Sequence, residues 1–413
     1  MGSKRQNALN NAEIFGPSMR GNPYPFYHEL RESNPVCWDK SLQAWIVTRY
    51  EDVAMVLHDS RFSANRIDAA TEQIKTPRYR PLLDVMAQKM SEKDEPDHMR
   101  LRSLVNKAFA HMALEHWEPL IRNRGNDLLD TFRTANGGEF INDYSVPLPL
   151  LIILQLVGVP TQDTQQVKTW CDDFAFIALN YYTHLSEEKL EKGLRSVQEF
   201  RNFLTQRIAE LKAQPEDNLL SALIAAEHEG QRLSVEEMLA NTFLLLTAGN
   251  ETTTCLLGNG LAALLEYPDQ MQRLRQNPEL IPQAVEEFLR FNSPVQYLGR
   301  IAKEDLEIHS QPIKKGDLVL PVIASANRDP AKFSNPDVLD IDRTDNHHFA
   351  FGYGRHFCPG SHLARLEAVV SFEILFEQTR EIRLDSMLFT DLKYRKNFPL
   401  RCLEKLPLQI DFR

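Results

Sequence analysis

The residues best suited to chemistry in this 413-residue chain fall in ten positions, Phe351-Gly-Tyr-Gly-Arg-His-Phe-Cys-Pro-Gly360. A single cysteine, Cys358, stands there with Phe351, Gly354, His356 and Gly360 at fixed distances around it. A thiolate is a soft, electron-rich metal donor, and on iron it pushes electron density that favours O–O cleavage. A lone cysteine beside a glycine turn is by default a packing residue. Zinc held by His347, His348, His356, Cys358 and His362 is a third reading, but structural zinc generally takes two thiolates or two spaced ligand pairs. Gly354 suits a tight turn of positive φ. The run from Leu363 to Val370 starts a helix directly after the loop.

Two further constellations carry polar residues into apolar helices. Ala248-Gly-Asn-Glu-Thr-Thr253 interrupts a long apolar run. There Thr252 can donate to the carbonyl of Ala248 one turn earlier and bend the helix. Glu251 beside it is a candidate proton carrier for general-acid chemistry. Glu287 and Arg290 are spaced i, i+3, so both charges share one helix face. Most such pairs are solvated surface pairs.

The three motifs together resemble the cytochrome P-450 superfamily in its soluble bacterial form, and the similarity runs from residue 20 to the end. The resemblance implies a mainly α fold with a minor β part, built around a long central distal helix and a Cys-ligand loop. It implies one domain over 1–413, with 1–20 as a flexible N-terminal segment. Cys358 would be the axial ligand of haem b, with Phe351 shielding the sulfur and Gly360 letting the next helix come close. His98, Arg102, Arg300, His348 and His356 match the positions that pair the haem propionates. Ala248 leaves room above the iron, and Glu251 and Thr252 deliver protons. Glu287, Arg290 and Arg343 match a buried structural triad. Leu244, Leu245, Ala248, Val295, Gln296, Tyr297 and Phe398 fall in segments that line the substrate pocket.

The implied reaction is monooxygenation of a small apolar or amphipathic metabolite, of the kind found in secondary metabolism. Electrons would come from NAD(P)H through a ferredoxin-type partner and its reductase, docked on Arg100, Lys107, Arg355 and Arg365. Oxidative C–C or C–N coupling without oxygen insertion uses the same motifs, whereas a non-enzymatic haem sensor needs no proton relay. A monomer in the cytoplasm is expected.

Composition agrees with these limits. A formal net charge of −10 argues against nucleic acid as a main partner. No apolar run reaches the roughly 18–20 residues of a membrane span, and the first residues lack the apolar core of a signal peptide. Five scattered cysteines read as a reduced set. Gly258-Asn-Gly-Leu-Ala-Ala263 matches a dinucleotide fingerprint by letters only, since it lies within a helical run.

The positioning elements follow from periodicity. Strands are expected at 36–38 and 44–48, a helix at 50–58, an irregular polar loop over 61–95, and helices through 97–280. Short strands should follow at 295–322 and near 398–412. Ser234-Val-Glu-Glu237 is a capping box and Pro268 a stop, so one helix should run about 50 Å between them. Cys358 is expected at the N-cap of the following helix, with Pro359 in its first position.

Overall fold

The computed structural model describes residues 21–67, 71, 77–111, 117–133, 137–180, 185–385, 392–395 and 399–413. The segment 1–20 and Phe398 lie outside the described residues. The strands are β1 (Val36–Asp39), β2 (Ala44–Val47), β3 (Phe62–Ser63), β4 (Gly137–Glu139), β5 (Arg300–Ala302), β6 (Leu306–Ile308), β7 (Gln311–Ile313), β8 (Leu318–Pro321), β9 (Thr379–Leu384) and β10 (Pro407–Phe412). The helices used below are α1 (Tyr24–Ser33), α2 (Tyr50–His58), α3 (Arg80–Ala87), α4 (Asp97–His111), α5 (Glu118–Arg133), α6 (Pro147–Val157), α7 (Thr164–Asn180), α8 (Glu187–Ala213), α9 (Val235–Glu266), α10 (Ile281–Phe291) and α11 (Ser361–Gln378). The chain forms two compact units: Met1–Ser63, Asn259–Phe357 and Phe389–Lys405 make the first; Ala64–Gly258, Cys358–Leu388 and Leu406–Arg413 make the second.

The first unit is organised by a five-stranded sheet in the order β1-β2-β8-β5-β3. β1 and β2 pair antiparallel, Val36 opposite Val47, and Asp39 Oδ1 closes their turn by accepting from the amides of Ser41 and Leu42. All four residues of β2 are buried, because it is an inner strand lying parallel to β8. Val36, Val47, Val53, Leu57, Val319 and Ile323 make the core on this sheet. β6 and β7 turn through His309 and Ser310, both at positive φ, which no Asn-Gly signal announces.

The same unit holds the expected triad, and it is fully interior. Glu287 and Arg290 are both 0% exposed, with Arg290 Nη2 at 2.7 Å and Arg343 Nε at 3.1 Å from the Glu287 carboxylate. Arg290 Nη1 also donates to the carbonyls of Asn327 and Pro336, and Arg343 Nη1 to that of Ser334. One carboxylate therefore anchors α10 to the irregular stretch before the Cys loop.

α9 runs from Val235 to Glu266, and its residues up to Gly258 belong to the second unit. The capping box is present: Ser234 N donates to Glu237 Oε2, and Glu237 N donates to Ser234 Oγ. Phe174 of α7 stacks on Phe243 of α9 at 4.5 Å, and Phe200 of α8 tilts against it at 4.1 Å. Two expectations are corrected here. The 61–95 segment is not irregular throughout, since α3 buries Leu82, Leu83, Val85 and Met86 on one face behind a proline in its first turn. The helical stretch after 97 is interrupted by β4, which pairs with β10. Gly137 there has φ +151, and a Cβ would sit 2.1 Å from the Leu408 carbonyl oxygen, so only glycine fits. The reduced cysteine set is also corrected: Cys37, Cys171 and Cys358 are free, whereas Cys255 and Cys402 are disulfide-bonded. Spacing along the chain carries no information about which thiols come within bonding reach.

α11 contains a buried acid that periodicity alone does not reveal. Glu367 is 2% exposed, and its Oε2 has no hydrogen-bond partner. Burial pushes its carboxyl up to about 8 from 4.5. It therefore keeps its proton when folded and loses it when unfolded over that interval, so stability falls as pH rises from about 4.5 to about 8.

Two outcomes follow. Glu287→Gln leaves two guanidinium groups buried without a carboxylate, which should cost about 3–5 kcal/mol. Urea unfolding measures it, and an unchanged midpoint would contradict the interior triad. Glu367→Gln removes the titrating group, so its urea midpoint should gain on the parent protein between about pH 5 and about pH 9. Parallel pH profiles for the two proteins would show that Glu367 is not held neutral.

Candidate functional site

Cys358 belongs to the second unit, two residues before the cap of α11. The cap is Gly360, whose carbonyl accepts from Ala364 N at 3.0 Å, so Cys358 is not the N-cap and Pro359 does not open the helix. Gly360 has φ −87 and ψ 7, outside the helical range, and the helix begins only at Ser361. Burial pushes the Cys358 thiol up, while the Gly360 amide, Arg102 and Arg365 pull it down. Cys37 has no such help, and burial with Asp39 pushes it up to about 12. A Cβ placed on Gly360 would meet nothing within 4 Å, so the approach to the sulfur is unobstructed on that side.

His98 and Arg102 share one face of α4. His98 is 3% exposed, with Nδ1 at 3.5 Å from Glu95; burial pulls its pKa down and Glu95 raises it. Arg102 Nε donates to Asn106 at 3.0 Å. Burial lowers its pKa, and the Cys358 sulfur raises it. Arg100 is turned elsewhere, into an ion pair with Glu237, and Lys107 Nζ donates to the Glu227 carbonyl at 2.7 Å. Arg100 is thus paired within the protein, while Lys107 is exposed. Arg365 is half-buried, and its charge pulls the Cys358 thiol down.

The donor chemistry fits haem. Among the described residues no group of three or more His, Cys, Asp or Glu side chains could hold a metal ion. The zinc reading thus lacks a ligand set. A single thiolate served by an amide and two guanidinium groups suits iron that brings its own equatorial ligands.

On α9, Thr252 Oγ1 donates to the Ala248 carbonyl at 2.6 Å. Thr254, two residues on, is used differently, donating to Ser145 O at 3.0 Å. Leu244, Ala248 and Thr252 recur every four residues and so line one stripe, with Leu245 at its edge. Ala248 is exposed, Leu244 half-buried and Leu245 buried. Gly249 serves a different purpose from its neighbour: a Cβ there would touch Ile153 of α6 at 3.4 Å, so its small size is for helix packing.

The first unit carries the remaining candidates. Gly354 has φ +71 and lies against His58, where a Cβ would come 3.1 Å from Nδ1. It opens a short 3-10 turn that ends at His356, which is half-buried. Phe351 packs against His348 at 6.1 Å and Phe357 at 6.2 Å. His348 is 3% exposed with Nε2 at 3.3 Å from Glu286, whereas His347 is 80% exposed. Arg300 is buried in β5, and its Nη1 donates to Gly299 O at 2.8 Å. Val295 is half-buried and Tyr297 buried. The side chain of Gln296 is committed internally, donating to Ser293 O and accepting from Tyr27 Oη, so it is a strut rather than a ligand-facing arm. Sequence reasoning passed over Asn250, whose signal is a polar residue inside an apolar helix.

Comparison with known proteins agrees with this geometry. The family model described as Cytochrome P450 matches residues 11–379. The chain is 38% identical to "Putative cytochrome P450 YjiB" of Bacillus subtilis over 90% of this chain and 91% of that one. It is 36% identical to "Polyketide biosynthesis cytochrome P450 PksS" of the same organism, over 96% and 97%. The solved structure of P450BioI in complex with hexadec-9Z-enoic acid ligated acyl carrier protein is similar with a TM-score of 0.88 and 35% identity, covering 95% of this chain and 99% of that one. This chain belongs to the cytochrome P450 family and is an oxidoreductase of its monooxygenase class.

Proposed function

We propose that Cys358 is the axial thiolate of haem b and that the enzyme inserts one oxygen atom from O2 into a small apolar or amphipathic metabolite. The observation that carries this is the sulfur of Cys358, with the Gly360 amide and the Arg102 and Arg365 charges acting on it. Bound haem supplies the binding of O2 and its reductive cleavage.

The side chains do the rest. The Gly360 amide and the two arginines favour the ligating thiolate form of Cys358 against the burial that favours its proton. His98, Arg102, Arg300, His348 and His356 pair the propionates, and Phe351 and Gly354 shape the loop that keeps water from the sulfur. Ala248 leaves space on the open stripe of α9. Thr252, tied to the Ala248 carbonyl, keeps its oxygen lone pairs available to accept a hydrogen bond on that stripe. Glu251, the next residue, takes protons from solvent and passes them to the Thr252 side. Electrons arrive from NAD(P)H through a ferredoxin-type protein and its reductase. Leu244, Leu245, Val295 and Tyr297 contribute apolar lining. The acyl chain named in the P450BioI complex supports a substrate with extended apolar surface.

Three measurements test this. Under carbon monoxide the reduced protein should show the strongly red-shifted Soret band of thiolate-ligated haem, and Cys358→His should abolish it. A red-shifted band that survives in the variant would place the ligand elsewhere. Thr252→Ala should retain substrate binding yet lower product per electron pair about tenfold or more, since general-acid delivery contributes about 10²–10⁴ to rate. Coupling equal to the parent's would remove Thr252 from proton delivery. Spin-state titration against fatty acids, macrolactones and steroids should identify the substrate, and ¹⁸O₂ labelling of its product should show one labelled oxygen; a product without label would mean oxidative coupling instead.

A further inference from the structure

Between α3 and α4 the second unit buries two opposite charges, Lys89 at 5% exposed and Glu92 at 2%. Arg66 takes both oxygens of the Glu92 carboxylate: its Nε donates to Oε2 at 2.9 Å, and its Nη2 donates to Oε1. Lys89 is left with the weaker share. Its Nζ lies 3.5 Å from Glu92 Oε1 and 5.8 Å over the Phe174 ring, and Glu92 and Arg66 are the charged groups that act on it. Burial pulls the pKa of the ammonium down, Glu92 raises it, and Arg66 pulls it down again. The arginines around Glu287 dispose of their surplus N–H groups on the carbonyls of Asn327, Pro336 and Ser334. Lys89 has three N–H donors, and among the described residues no backbone carbonyl takes one.

Backbone pairing fixes where this ammonium stands. Asn241 of α9 accepts from the Met90 amide at 2.9 Å and donates to the Gln88 carbonyl at 3.2 Å, so it grips the residues on both sides of Lys89. At about 100° per residue, Asn241 falls on the same stripe of α9 as Leu245, Ala248 and Thr252. The rise from Asn241 to Ala248 is about 10 Å. Phe174, under the ammonium, stacks on Phe243 of α9, so the charge borders an apolar wall. An extended alkyl chain, with bonds of about 1.5 Å at tetrahedral angles, covers that rise in about eight carbons.

We infer that Lys89 anchors a carboxylate at one end of the substrate, whose apolar chain lies along the α9 stripe toward Ala248. The inference rests on the reading of the protein as an oxygenase of apolar or amphipathic metabolites and narrows that class to free long-chain acids. A carboxylate supplies what the cluster lacks, an acceptor for the ammonium besides the oxygens that Arg66 already holds. An ester or a carrier-bound acyl group brings no such charge. Lys89 therefore sets specificity by binding the end of the substrate remote from the reacting carbon.

Isothermal titration of the haem-loaded full chain with dodecanoic acid and with its methyl ester tests this. The parent should bind the acid several-fold more tightly than the ester. Lys89→Met keeps the bulk and leaves Arg66 and Glu92 paired, so the variant should fold. Its affinity for the acid should fall about tenfold or more, the worth of a hydrogen bond to a charged group, with the ester little changed. Lys89→Arg, which restores a cation, should recover acid binding. Equal acid affinity in the parent and Lys89→Met overturns the anchor. A crystal structure with the acid should place a carboxylate oxygen within about 3.2 Å of Lys89 Nζ, and a carboxylate held elsewhere overturns it too. The two readings fail separately. If acid and ester bind alike and both are oxidised, charge recognition alone is wrong. If neither binds while a steroid or macrolactone shifts the haem spin state, the acid class is wrong and the oxygenase reading stands. If no apolar compound binds, both fall.

Discussion

Everything about the site depends on the half-buried sulfur of Cys358, which must give up its proton to bind a metal. Burial by itself opposes this, because a desolvated thiol keeps its proton. The Gly360 amide and the charges of Arg102 and Arg365 pull the other way without outweighing burial. Those groups come from different elements, α4 and α11, so the environment of one atom constrains how two helices of the second unit pack. The cost recurs at Arg102, whose own charge is disfavoured by burial and favoured by the cysteine. Each group favours the other's charged form, while burial remains the larger effect on both.

The same rule governs the interior away from the sulfur. Glu287 serves two arginines at once and draws in backbone carbonyls for the donors left over. A comparable cluster in the second unit sets Glu92 against Arg66 and Lys89, and the Lys89 ammonium lies 5.8 Å over the Phe174 ring. Such groups are weak as sources of stability but strict about geometry, since losing one member strands another. Glu367 is the exception, with burial alone acting on it; protonation is its way of remaining inside.

α9 distributes these demands by periodicity. One stripe keeps Ala248 and Thr252 together, another seats Gly249 on Ile153, and a third turns Asn250 to a small pocket lined by α6 and α7. A helix of 32 residues can do this because its first turn is capped by Ser234 and Glu237 and its flanks are stacked aromatics. Regular helical backbone converts consecutive residues into separate environments about 100° apart.

Much of the molecule was legible before any fold was known. The Cys358 loop, the long capped helix, the Thr252-to-Ala248 bond and the Glu287–Arg290 pair are local, fixed by spacings of one to ten residues, and local geometry follows from sequence. The same holds for β1, β2 and α2. Tertiary structure decided what depended on neighbours distant in the chain. It spent Arg100 on Glu237, committed Gln296 to Ser293 and Tyr27, and left Asn250 Oδ1 without a partner. Each side chain could have pointed to solvent, and periodicity contains no term for what stands opposite. Sequence determined which groups were available for this chemistry; packing determined which were free to perform it, because a charge or amide already satisfied inside the protein has nothing left to offer a ligand.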